Sequence, residues 1–321
     1  VSKIAKIRKD VIDVQDTKGF KNLDTDIKSK VFGQDEAVDK LVESILVSKA
    51  GLREPNKPIG SFLFVGPTGV GKTETAKQLA ETMDVKLIRF DMSEYMERHS
   101  VSKLIGAPPG YVGHAEGEMG QGMMLSEVDK NPNCILLLDE VEKAAPEVLQ
   151  VLLQVMDDGR LTGATGKTVD FSNVILLMTS NLGAAKLDTA RIGFGEKTHS
   201  DADISATKQF FTPEFRNRID AFIRFNKLGK PEIMSIIKRT LKDTNDLLKS
   251  NDSNITIKMT VSAKKYFVEQ GYDPLMGARP LKRLFEEKVK KPLSKKILFD
   301  GAHAEVIKVD LVDGEIVFVD A

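Results

Sequence analysis

Tryptophan is absent from this 321-residue chain, cysteine occurs once, histidine four times, and neither sign of charge prevails. Each shortage excludes something. A lone Cys134 cannot form an intrachain disulfide, which suits a reducing compartment, so the cytoplasm is the expected location. His99, His114, His199 and His303 are scattered without metal-ligand spacing, which argues against a zinc-type centre. Lys plus Arg and Asp plus Glu both total 47, so no global field draws the chain to nucleic acid or to a membrane. The densest basic run, Lys282 to Lys296, contains Glu286 and Glu287 and reads as a solvated helix face. No apolar run approaches the ~20 residues of a membrane-spanning helix. The basic start VSKIAKIRKD leads into no signal-type apolar core and lacks Met, so the chain reads as a piece of something longer.

What is present is an ordinary globular composition, 41% hydrophobic and 29% charged, with length for one large domain or two smaller ones. Residues 1–30 are charged and weakly periodic, as in an arm or linker. LVESILVSKAG has helical spacing and stops at Gly51, a C-cap residue. Short apolar runs then alternate with helical patterns. SFLFVG (61–66), KLIRFDM (86–92), CILLLD (134–139), NVILLMTS (173–180) and AFIRF (221–225) each predict a buried strand. Helical patterns near 72–83, 121–130, 146–157 and 206–211 separate them. Such alternation predicts an α/β fold, a mostly parallel sheet flanked by helices, over 31–226. From 227 the pattern becomes helix-rich. Helices over 232–249 and 261–270 flank a short strand ITIKM, a long helix from about 278 is interrupted or begins again near Pro292, and EVIKVDLV with EIVFVD predicts a closing hairpin. A small second domain over 227–321 follows.

Three strand ends carry chemistry. Gly66-Pro67-Thr68-Gly69-Val70-Gly71-Lys72-Thr73 lies between a strand and a helix, the context a G-x-x-x-x-G-K-T phosphate loop requires. Its glycines let backbone N–H groups converge on phosphate oxygens at a helix N-terminus. With ATP or ADP as the expected nucleotide, Lys72 is suited to the β/γ-phosphates and Thr73 to Mg²⁺. Asp139 and Glu140 emerge from a strand of four apolar residues at the end where open α/β sheets bind ligands. Asp139 suits the same Mg²⁺, and Glu140 suits polarisation of an attacking water. Thr179-Ser180-Asn181 ends the next strand with a neutral polar tip that could bond the γ-phosphate or the water, although Asn also simply ends strands.

With GAPPGYVG (106–113), FTPEFRNRID (211–220) and MGARPL (276–281), these motifs resemble the AAA+ unfoldases of the Clp/Hsp100 family over nearly the whole chain, from VFGQDEAV to KKPLSKKILF. Within that family the resemblance is to the second, C-terminal ATPase module of ClpA-type members. It implies that Val31 and Phe32 hold adenine, that Arg218 is an arginine finger reaching a neighbouring subunit, and that Arg279 is a sensor in the small domain. Arg216 is the competing finger; the order Asn217-Arg218 favours Arg218. The resemblance further implies a homo-hexameric ring whose pore is lined by Tyr111 and Val112, gripping unfolded protein substrates. Residues 158–167 are either a second pore loop or a plain hairpin turn. Ile192-Gly193-Phe194, an apolar triplet in a polar stretch, resembles the loop that docks a ClpP-type peptidase, with an adaptor protein as a possible further partner. A disaggregase of the ClpB type, with no peptidase partner, is the nearest rival reading. An AAA+ machine on nucleic acid is disfavoured by the balanced charge, and a non-hydrolysing scaffold by the presence of Glu140 and Arg218. HAEGEMGQGMMLSEV carries a few residues more than the family pattern and reads as a longer loop, whose conformation near the pore the sequence does not fix.

Overall fold

The computed structural model describes residues 20–54, 56–106, 122–182, 207, 209–251, 255–273, 276–299 and 306–320. Tyr111, Val112, Ile192, Gly193 and Phe194 lie outside these residues. Among the described residues no helix is long and apolar enough to cross a membrane.

Five strands form one parallel sheet: β1 (Gly60–Val65), β2 (Lys86–Asp91), β3 (Cys134–Asp139), β6 (Ile175–Ser180) and β7 (Ala221–Arg224), in the order β2-β3-β6-β1-β7. Between β3 and β6 a two-stranded antiparallel hairpin, β4 (Arg160–Thr162) with β5 (Thr168–Asp170), closes through a turn in which Gly163 N–H donates to Lys167 O at 2.9 Å. The three central strands β3, β6 and β1 are buried at every position, because helices cover both faces. On one face Leu136, Leu138, Leu176 and Met178 join Leu125, Val128, Val148, Leu152 and Val155 in a single core. The helices contributing those residues are Met123–Lys130 and Pro146–Asp158. Helices Asp35–Lys49 and Lys72–Thr82 pack on other parts of the sheet and bury Leu41, Ile45, Ala76 and Leu79. Continuous apolar runs are what such doubly covered strands require.

Two expectations about strands need correcting. The runs at 86–92 and 221–225 do not form fully buried strands. β2 and β7 are the sheet's edges, and Lys86 and Arg89 stand exposed while Ile88 and Phe90 are buried. An edge strand has neighbours on one side only, so alternation survives where the central strands lose it. Sequence patterning also misses the helix Arg98–Ile105 and the short helix Pro213–Asn217, which is capped by Thr212 through its hydroxyl accepting from Phe215 N–H at 3.3 Å. Helix Leu23–Lys28, within the stretch read as an arm, buries Leu23 and Ile27.

Contacts divide the chain into two compact units. One runs through Gly66 and again from Gly71 to Phe225; the other joins Pro67–Val70 to the chain from Asn226 onward. In the second unit, helices Lys230–Ser250 and Val261–Gln270 flank β8 (Thr256–Met259). β8 pairs in parallel with β9 (Val306–Val312), which pairs antiparallel with β10 (Glu315–Asp320). The β9–β10 turn uses Asp313 and Gly314 at φ 51° and 82°, the two positive angles a tight hairpin turn demands. The long helix begins again beside Pro292. Arg279–Phe285 and Lys291–Phe299 are joined by a π turn, Glu286–Lys290. Pro292 has no N–H and its ring crowds the carbonyl four residues back, inside that widened turn.

Candidate nucleotide site

At the carboxyl ends of β1, β3 and β6 the parallel register brings three strand tips level. Phe64 is paired with Thr179, and Leu138 with Met178, so Asp139 and Thr179 emerge side by side. The phosphate-type loop follows β1 and opens helix Lys72–Thr82. Gly69 and Gly71 take φ 73° and 112°, values an L side chain resists, and Gly71 is the N-cap. Buried Val31 lies against this turn; a Cβ on Gly71 would stand 3.6 Å from Val31 Cγ1. Phe32 is half-buried beside it in sequence.

Lys72 is only 7% exposed, and its ammonium donates to Gly66 O at 2.5 Å and to Asn181 Oδ1 at 2.7 Å. Thr73 Oγ1 donates to Asp139 Oδ2 at 3.2 Å. The Asp139 carboxylate, also 7% exposed, accepts Thr179 Oγ1 on Oδ1 at 2.5 Å and the Arg89 guanidinium on Oδ2 at 2.6 Å. Thr179 works in both directions, since its oxygen also accepts Glu140 N–H at 2.9 Å. Glu140 sits in the left-handed region at φ 56°, a strained conformation for a residue with a side chain. Its Oε1 accepts Asn181 Nδ2 at 3.1 Å, and Lys143 forms an ion pair with its Oε2. Asn181 N–H is held by Glu142 Oε1 at 3.0 Å. A continuous polar chain thus runs from Lys72 through Asn181 to Glu140 and Lys143.

The predicted residues Lys72, Thr73, Asp139, Glu140 and Asn181 therefore meet in one place. A hydroxyl and a carboxylate converging within 3.2 Å are hard oxygen donors of the kind a Mg²⁺ held largely by phosphates needs. Among the described residues no group of three or more His, Cys, Asp or Glu could hold a metal ion.

Arg218 is elsewhere in the first unit. It ends helix Pro213–Asn217, where its Nε bonds Asp157 Oδ2 at 2.5 Å and its Nη1 donates to Glu214 O at 3.2 Å. The bond to Asp157 raises its already high proton affinity. Among the described residues the buried Arg216 Nε meets no acceptor. Arg279 is exposed at the first turn of its helix, in the second unit, where Ala278 N–H donates to Gly69 O at 3.1 Å. Sequence reasoning missed Arg89, Lys143 and Asp157. The signals were present but faint: a charged residue within an apolar edge run, and polar neighbours of residues already chosen. Cys134 has no place in the site; burial pushes its thiol up to about 12.

Residues 57–222 match the family described as AAA domain (Cdc48 subfamily), and residues 228–310 match the C-terminal, D2-small domain of ClpB protein. A ClpA homolog protein of Fuscovulum blasticum is 50% identical over 318 residues, covering 99% of this chain and 39% of the relative. The ATP-dependent Clp protease ATP-binding subunit ClpE of Lactococcus lactis is 46% identical over 301 residues, 92% of this chain and 39% of the relative. The chaperone protein ClpB of Bacillus anthracis is 44% identical over 300 residues, 91% of this chain and 34% of the relative. The chain thus spans well under half the length of these relatives.

Proposed function

This chain belongs to the Clp/Hsp100 family of AAA+ ATPases, and from that premise we propose that it is the ATPase module of a protein unfoldase that feeds a ClpP-type peptidase. The observation that carries the ATPase part is the convergence of Lys72, Thr73, Asp139, Glu140 and Asn181 at the sheet's carboxyl edge. ATP is bound by the backbone N–H groups of the Gly66–Thr73 loop with Lys72 on its outer phosphates, and its adenine lies near Val31 and Phe32. Thr73 and Asp139 would hold Mg²⁺, which neutralises charge on the phosphates. Glu140 takes the proton of the attacking water, and Asn181 keeps both the carboxylate and the Lys72 ammonium oriented. Arg218 acts on a neighbour's site in a homo-hexamer, Arg279 reports the nucleotide to the small domain, and Tyr111 with Val112 grips the substrate. A cytoplasmic setting agrees with the single Cys134.

Relatives named ClpA and ClpE support peptidase coupling; the ClpB relatives and the match to a ClpB small domain favour a second reading, a disaggregase. The segment Ile192-Gly193-Phe194 separates the two. Burying two such side chains yields roughly 1.5–3 kcal/mol each, much of it consumed in ordering the loop. Several loops on one ring can still bind tightly through effective concentration. Phe194→Ala, or removal of residues 190–200, is expected to abolish degradation with a ClpP-type peptidase and to spare ATP hydrolysis. Degradation that survives the deletion rejects the docking assignment and favours the disaggregase.

A further inference from the structure

Both carboxylate oxygens of Glu140 are engaged. Asn181 Nδ2 donates to Oε1 at 3.1 Å, and the Lys143 ammonium pairs with Oε2. The pairing follows from the backbone. The left-handed Glu140 starts a tight turn over Val141–Lys143, closed by Lys143 N–H donating to Glu140 O at 2.9 Å, which returns the lysine side chain over the carboxylate. Two other carboxylates face the same ammonium, Glu142 on that turn and Asp91 at the end of β2. Asp91 is fixed on its other side, accepting Ser93 N–H at 3.0 Å and the Ser93 hydroxyl at 2.6 Å. Lys143 therefore stands in the field of further carboxylates besides Glu140.

We propose that Lys143 is a positioning residue that restrains Glu140. Its ammonium occupies the oxygen on which water would be activated, and exchange of that ammonium for water is part of each turnover. The proposal rests on the reading of Glu140 as the general base. Lys143 takes no part in the proton transfer; it acts by competing with water for that oxygen. Its side chain is 46% exposed, against 24% for Glu140, so the restraint is modest and can open.

The test compares Lys143→Ala and Lys143→Gln with the unaltered protein in steady-state ATP hydrolysis, binding of a fluorescent ATP analogue and thermal unfolding. Both neutral variants are expected to raise kcat about two- to five-fold, the range an exposed ion pair of this kind supports. KM, analogue affinity and the unfolding midpoint stay where they were, and Lys143→Arg brings kcat back toward the starting value. Unchanged or lowered kcat in both neutral variants overturns the proposal. A midpoint and an affinity that fall together, with no rise in kcat, overturn it in favour of a structural lysine. Glu140→Gln is the control: turnover that persists in it rejects Glu140 as base, whereas loss there beside flat Lys143 variants rejects the restraint alone.

Discussion

At the scale of single residues the account makes two separable claims about the site. Lys72 is buried and, in the proposed reading, carries the positive charge that meets the phosphates, so Lys72→Ala is expected to weaken ATP binding at least about tenfold, an effect of about 1.4 kcal/mol or more. Glu140→Gln keeps the hydrogen bond from Asn181 but removes the proton acceptor. It is expected to bind ATP normally and hydrolyse it at least about a hundredfold more slowly. Equilibrium binding and single-turnover hydrolysis check the pair. These five side chains were legible because their spacing fixes a strand–loop–helix context, and a parallel register then levels the strand tips. Arg89 and Lys143 were not legible. What matters for them is which carboxylate each long side chain reaches, and neither spacing nor period encodes that. Asp157, too, is an ordinary helix-end acid until the fold brings Arg218 to it.

Elements show where pattern reasoning works. Runs buried on both faces are unmistakable, and CILLLD coincides with β3 residue for residue. Edges and short helices are harder, because burial on one side leaves mixed patterns like that of β2. Caps are small but testable parts of this layer. Thr260 begins helix Val261–Gln270, accepting Ala263 N–H at 3.2 Å while its hydroxyl donates to Asp310 Oδ1 at 2.7 Å. That hydroxyl, with Leu311 N–H, holds the Asp310 carboxyl below its usual range. Thr260→Ala is expected to cost about 1 kcal/mol in the second unit, read as faster hydrogen exchange at Ala263. Because the folded Asp310 titrates below its unfolded value, its share of that stability is present above the ordinary carboxylate range. It is lost as pH falls through the lowered folded value, so the difference from the unaltered protein narrows in acid. The proposed substrate grip at Tyr111 makes a different prediction: Tyr111→Ala is expected to leave ATP hydrolysis largely intact and to cripple unfolding of a folded substrate, since in that proposal the side chain transmits force and has no part in phosphoryl chemistry.

For the whole molecule the governing idea is a site shared between subunits. An arginine that completes a neighbour's site requires a head-to-tail interface that closes into a ring. Within one chain Arg218 is bonded to Asp157 and Glu214, and assembly would redirect it. Arg218→Ala is expected to bind ATP normally and to hydrolyse it at least about tenfold more slowly. Mixing it with Lys72→Ala subunits restores part of the activity, because some boundaries then pair a good Lys72 with a good Arg218. No recovery at any ratio, in rings verified as mixed, argues against a shared site. The central claim, that ATP hydrolysis at Glu140 drives the unfolding of protein, is tested most directly by following a stably folded fluorescent reporter fused to an unstructured tail. The account predicts that its fluorescence falls when the protein is supplied with ATP, and holds steady with ADP or when Glu140→Gln replaces the unaltered protein. Equal loss of fluorescence with Glu140→Gln, or none with the unaltered protein while it turns over ATP, would contradict it.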